Sequence, residues 1–141
     1  MSTEENKAQV RRLMEEAFAK GKPELVDELL DPDFIRYDPY IEAGEVRGVE
    51  TVKENIVWFR NVFPDLTCTI EDQIAEGDKV VSRFIWSGVH KGHFMGIPPT
   101  GNQVTVKGVV IDRVVEGKFV ESRILMDNLG MMQQLGVIPA L

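Results

Sequence analysis

Residues 66–90 read LTCTIEDQIAEGDKVVSRFIWSGVH, and residues 103–126 read QVTVKGVVIDRVVEGKFVESRILM. In both stretches β-branched and aromatic residues alternate with polar ones, the period of a strand with one buried face. Four strands are predicted, over 66–75, 79–90, 103–115 and 118–126. Two of the joints are short, Glu76-Gly77-Asp78 and Glu116-Gly117. Such residues tolerate positive φ and close tight hairpins, so neighbouring strands should run antiparallel.

Upstream of these strands the period changes to that of helices. Ser2 and Glu5 have capping-box spacing, and Val10, Leu13, Met14, Ala17 and Phe18 recur at helical intervals until Gly21. Pro23 suits the first turn of a second helix, with Leu25, Val26, Leu29 and Leu30 on one face and Asp31-Pro32 as its stop. Residues 34–38 read as a short strand, and residues 39–48 as a loop. Val52, Ile56, Phe59 and Phe63 mark a third helix ended by Pro64. After the strands, Leu129, Met132 and Leu135 share one side of a last short helix that stops at Gly136 and Pro139. Helices first and a long antiparallel meander afterwards predict an α+β domain, its helices gathered on one face of a twisted sheet that leaves an open end.

The chain of 141 residues, 43% apolar, is sized for one domain spanning 1–141, which would bury about 68% of its unfolded surface. A net charge of -7 argues against nucleic acid as a partner, because phosphate contacts need clustered positive charge. No run approaches the roughly 20 apolar residues that span a bilayer, and MSTEENK lacks the apolar core of a signal peptide, so a cytoplasmic protein without membrane contact is expected. Cys68, the only cysteine, sits in an alternating strand, where packing is its default role.

The run GVHKGHFMGIPPTG at 88–101, then EGKFVE at 116–121, and an Asp at a strand end before LGMMQQLG closely resemble the SnoaL-like polyketide cyclases. The resemblance extends upstream through FPDLTCTIEDQIAEGDKVVSRF and covers nearly the whole chain. It implies the cone-shaped α+β barrel of the nuclear transport factor two-like superfamily: a strongly curved mixed or antiparallel sheet wrapped over three N-terminal helices, with a short C-terminal helix. It also implies a homodimer paired through the sheet, and an intramolecular aldol ring closure without a cofactor. In the cyclases the Asp matching Asp127 acts as base on a polyketide ester. This chain departs from the usual pattern in having Tyr37 where many relatives have His, and Arg123 and Met126 where they commonly carry Trp.

Asp127 is therefore the first candidate base, its carboxyl raised in pKa by an apolar pocket, although an Asp just before a helical run is also a standard N-cap. Without a bulge, Phe119, Glu121, Arg123, Leu125 and Asp127 would share one strand face and form a cavity wall. Arg123 within about 4 Å of a carboxylate would stabilise its charge by about 4 kcal/mol at an effective dielectric of 20, so whether it pairs with Asp127 or Glu121 decides the chemistry. A guanidinium flanked by carboxylates also resembles limonene epoxide hydrolase and keeps epoxide hydration open as an alternative. His90 matches the family's histidine and could donate a proton, as could the Tyr37 phenol; His93 stands where relatives vary. The H-x-x-H spacing lies against Gly92 and a Pro-Pro loop, which exclude the helical metal motif, so no metal is expected. Nor is the 96–101 loop a phosphate cradle, since two prolines remove backbone donors. Trp58, Trp86, Phe94 and Met95 are candidates for lining a cavity that takes a small hydrophobic ligand. A module that binds such a ligand, or dimerises, without turnover is the third reading.

Overall fold

The computed structural model describes residues 2–140. Helix α1 (Thr3–Arg11) opens with a capping box, in which Glu5 N–H donates to Ser2 Oγ at 3.1 Å and Ser2 N–H to Glu5 Oε1 at 3.2 Å. It runs directly into a wider, π-wound segment, Arg12–Phe18, closed by Ala19 N–H donating to the Met14 carbonyl at 3.1 Å. Helix α2 (Leu25–Leu29) is a single turn or so. Leu30, expected in that helix, already begins β1 (Leu30–Tyr37), because Pro32 forces Asp31 toward extended backbone and Leu30 finds a ladder partner in Phe119. Within the expected 39–48 loop the chain forms a further strand, β2 (Glu45–Arg47), which pairs antiparallel with β1 and is closed by Asp38 N–H donating to Gly44 O at 3.0 Å.

Helix α3 (Val49–Val62) buries Val52, Ile56 and Val62, with Phe63 following at its end. Strands β3 (Thr67–Glu76), β4 (Lys79–Val89), β5 (Gln103–Val115) and β6 (Lys118–Met126) follow, and then helix α4 (Asn128–Gln134). All six strands form one sheet in the order β2-β1-β6-β5-β4-β3. Every pairing is antiparallel except β1 with β6, so the sheet is mixed. No helix among the described residues is long and apolar enough to cross a membrane.

The inner face follows the alternation closely. Along β5, Val104, Val106, Gly108, Val110, Asp112 and Val114 are buried while the residues between them are exposed. Along β6 the alternation breaks once. Val114 faces Phe119, yet Arg113 faces Glu121, so β6 holds one surplus residue at Val120. This bulge turns Phe119, then Ser122, Ile124 and Met126, toward the helices. Glu121, Arg123 and Leu125 are turned outward, which corrects the expectation that they share a cavity wall with Phe119.

Beyond the end of β6 the free edge of β5 is covered by α4. Gln134 Oε1 accepts from Thr105 N–H at 2.7 Å, and its Nε2 donates to Thr105 O at 2.8 Å, replacing a missing strand. At the other end of the core, Lys91 N–H donates to Val62 O at 2.9 Å, and Gly92 lies flat on the end of α3. A Cβ at Gly92 would stand 2.8 Å from Asn61 O and 3.0 Å from Val62 Cα, both backbone atoms. Gly92→Ala should therefore destabilise the protein by about 1–3 kcal/mol, the usual overpacking cost, in a reversible urea titration. An unchanged midpoint would show that this joint is looser than described.

Candidate active site

Between the inner face of the sheet and the helices lies a cavity of about 480 Å³. Its walls are predominantly apolar, with Leu13, Met14 and Phe18 from the first helical run facing Phe84, Trp86 and Met126 of the sheet. The wide winding of Arg12–Phe18 presents Met14 and Phe18 to the same space. Trp86 Nε1–H donates to Met126 Sδ at 3.4 Å, so the indole polar edge is satisfied within the wall. Trp58 and Phe94, with ring centroids 5.5 Å apart, and Met95 complete the lining. Trp58 and Met95 are also solvent-exposed, which places them at the mouth.

Six charged or hydroxyl side chains interrupt this apolar lining: Arg36, Asp38, Tyr40, Thr51, Asp112 and Ser122. Three of them form one row across the sheet. Arg36 is in register with Ser122, and Ser122 with Asp112. The Ser122 hydroxyl donates to Asp112 Oδ1, and both residues are buried. Burial pushes the Asp112 carboxyl up to about 7 from an ordinary 3.8, against the opposing effect of the Ser122 hydrogen bond. A carboxyl titrating there is divided between base and acid near neutrality.

Arg36 is held below the usual guanidinium range by burial, and Asp38 opposes that shift through space. Asp38 Oδ1 itself accepts from Tyr40 N–H at 3.0 Å. Cys68 also lines the cavity, but burial first, and then the Glu15 charge, push its thiol up to about 12. It stays protonated and is no nucleophile.

The residues expected to form the site are divided by the bulge. Asp127 is exposed and caps α4, its Oδ1 accepting from Gly130 N–H at 2.9 Å. The inward carboxyl expected at Asp127 is found instead at Asp112. Arg123 pairs with Glu121, Nε to Oε1 at 2.8 Å, and its guanidinium lies 4.3 Å above the Tyr37 ring. This group belongs to the outer face, so Tyr37, Arg123 and Glu121 lie away from the cavity. An epoxide-polarising guanidinium with flanking carboxylates is not formed there.

His90 is fully buried between Phe63 and Phe94, with ring centroids 6.0 and 6.4 Å away. Its Nδ1 accepts from Thr100 N–H at 3.2 Å and lies 3.0 Å from Thr100 Oγ1. An amide N–H can only donate, so the neutral ring carries its proton on Nε2. His90 thereby fastens the 91–101 loop and does not line the cavity, while His93 is exposed. Among the described residues no three His, Cys, Asp or Glu side chains converge where a metal ion could be held.

Asp112 and Arg36 were missed, although the sequence carried a signal for each. Asp112 stands in phase with Val104, Val106, Val110 and Val114, and Arg36 and Asp38 in phase with Phe34. A charge at the apolar phase of a strand marks a buried polar group.

Comparison with known proteins agrees with this architecture. Nogalonic acid methyl ester cyclase of Streptomyces nogalater is 31% identical over 124 residues, covering 87% of this chain and 92% of the relative. Aklanonic acid methyl ester cyclase DnrD of Streptomyces peucetius is 29% identical over 128 residues, covering 90% and 88%. The solved structure of TsrD from Streptomyces laurentii superposes with a TM-score of 0.86 at 29% identity, over 98% of this chain and 99% of that one. That of IdmH from Streptomyces antibioticus does so with a TM-score of 0.80 at 33% identity, over 94% and 99%. The fold is that of the nuclear transport factor two-like proteins. With the family's sequence profile matching residues 8–135, this chain belongs to the SnoaL-like polyketide cyclases.

Proposed function

We propose that this protein catalyses an aldol-type ring closure of a small, hydrophobic polyketide-type carbonyl compound, with Asp112 as the base. A fully buried carboxyl on a cavity wall, raised to about 7, is the observation that carries the reading. Ionised Asp112 takes a proton from the carbon between two carbonyls, and the C–H electron pair passes into an enolate. The enolate carbon then adds to a second carbonyl of the same molecule. Its oxygen recovers a proton from Asp112, which returns to its ionised form. Ser122 keeps the carboxyl oriented throughout. The step calls only on acid–base groups of the chain, in a space from which water is displaced by the ligand.

Nogalonic or aklanonic acid methyl ester, the compounds named for the relatives, are the substrates to assay first. Asp112→Asn should lower turnover by about a hundred- to ten-thousand-fold, whereas Asp127→Asn, an equally good cap, should leave it unchanged. The opposite ranking would return the base to Asp127. Binding by the unaltered protein without any turnover would leave a passive ligand carrier.

Asp112 also sets two opposite pH trends. Its folded pKa of about 7 lies above the ordinary 3.8, so between those values the folded state holds a proton that the unfolded chain has lost. Stability is therefore fullest below about 4, falls by on the order of 4 kcal/mol as pH rises to about 7, and is level above that as far as this group is concerned. Activity should rise through the same upper limit as the carboxylate forms. Urea titrations from pH 4 to 8 test the first trend, which Asp112→Asn should abolish; a pH profile of kcat/KM tests the second.

The outer sheet face carries Val109, Ile111 and Leu125, exposed by 41%, 40% and 61%. That apolar surface supports a homodimer paired through the sheet, and the net charge of -7 supports a protein without nucleic-acid partners. Sedimentation should show a dimer at micromolar concentration, and a monomer there would overturn the pairing.

A further inference from the structure

Among the described residues every arginine but one has a hydrogen-bond partner. Arg11, Arg12, Arg47, Arg83, Arg113 and Arg123 each hydrogen-bond a carboxylate. Arg60 instead donates to the carbonyls of Ala19 and Pro64. Arg36 lines the cavity, its Nε–H is buried, and among the described residues nothing accepts a hydrogen bond from it. Asp38 faces it and acts on it only through space, its own Oδ1 already occupied by Tyr40 N–H. A buried guanidinium N–H without an acceptor is costly to fold, and a ligand oxygen supplies what is missing.

We infer that Arg36 is the oxyanion-binding residue of the cavity, donating to the substrate oxygen on which negative charge develops when the carbon beside it loses its proton. The inference deepens the reading of Asp112 as base. Arg36 and Asp112 stand on the same cross-strand row with only Ser122 between them, which separates their backbones by about 10 Å. That span leaves room for one enolisable 1,3-dicarbonyl unit between carboxylate and guanidinium. The charge balance favours an enolate over a ligand that enters as an anion. Asp38 already offsets the guanidinium, so ionised Asp112 leaves the site with one net negative charge, which admits a neutral ligand more readily than an anion. When the C–H bond breaks, the proton goes to Asp112 and the electron pair into the C=C–O⁻ unit. The negative charge thus moves from Asp112 to an oxygen beside Arg36, and the total charge of the cavity is unchanged.

Dibenzoylmethane, an apolar 1,3-diketone whose enolate absorbs at longer wavelength than its enol, is the probe. Bound to the unaltered protein, it should ionise at a lower pH than in buffer, and an unshifted ionisation overturns the inference without recourse to any variant. Arg36→Gln should abolish the shift and weaken binding of the enolate about 10- to 100-fold, as loss of a charged hydrogen bond does. Binding of 1,3-diphenylpropane, the hydrocarbon of the same shape, should be the same in both proteins. Equal binding of the diketone by both overturns the inference. If diphenylacetate gains more from Arg36 than the diketone does, Arg36 is a carboxylate anchor and the enolate assignment falls. Asp112→Asn should retain the ionisation shift, because the diketone can lose its proton to solvent. A shift that persists while Asp112→Asn keeps full turnover therefore rejects the proposed base and leaves Arg36 in place.

Discussion

Strand β6 carries one residue more than β5 beside it, and the ladder accommodates the surplus at Val120, between Phe119 and Glu121. Before that point Phe119 faces the helices; after it Ser122, Ile124 and Met126 do. A ladder without the surplus would send Glu121 and Arg123 inward and Ser122 outward, because strand side chains alternate with a period of two. Two charges on long arms would then fill the cavity, and Asp112 would lose its hydroxyl. The position of one backbone irregularity thus decides whether the interior is an ion-pair network or a largely apolar space in which Asp112 keeps its hydroxyl partner.

That carboxyl opposes the rest of the core. Most of the interior is apolar and stabilises the fold in proportion to the area it removes from water. Asp112 and Arg36 do the reverse, since each puts a charged or chargeable group where water is scarce. The surrounding strands hold them in place: Asp112 lies on β5, paired on both sides, and Arg36 on β1, between β2 and β6. Both side chains are held on inner strands, where the backbone has little freedom to relieve them. Such pre-organisation is what acid–base chemistry in a closed space requires.

The helix and strand periods, the two hairpins and the order of elements could be read from the chain, because each depends on neighbours close in sequence. Features that depend on distant partners could not. Leu30 carries a helical signal through Val26 and Leu29, but pairing with Phe119 draws it into a strand. Glu45–Arg47 is too short to show a period and becomes a strand only because β1 lies beside it. The site suffered most, since the expected face of β6 assumed an unbroken ladder and one bulge exchanged its members. Asp127 illustrates the remaining ambiguity: strand end and helix cap call for the same residue type, and the cap is what the structure contains. Asp112 was legible in principle, as an acid at the apolar phase of an otherwise valine-rich strand.

The π-wound segment Arg12–Phe18 is the helical counterpart of the bulge in β6. An i to i+5 bond encloses one amino acid more than an ordinary turn, so this part of the first helix stores extra chain length without breaking. Losing a single residue here would let the winding tighten to the ordinary pitch while the flanking turns kept their contacts with the sheet. The same loss from α3, which has no slack, would rotate every side chain beyond it by about 100° and scramble its packed face. The protein's tolerance of shortening is therefore concentrated in the very stretch that supplies Met14 and Phe18 to the cavity, and the width of that hollow can drift between descendants without a new fold.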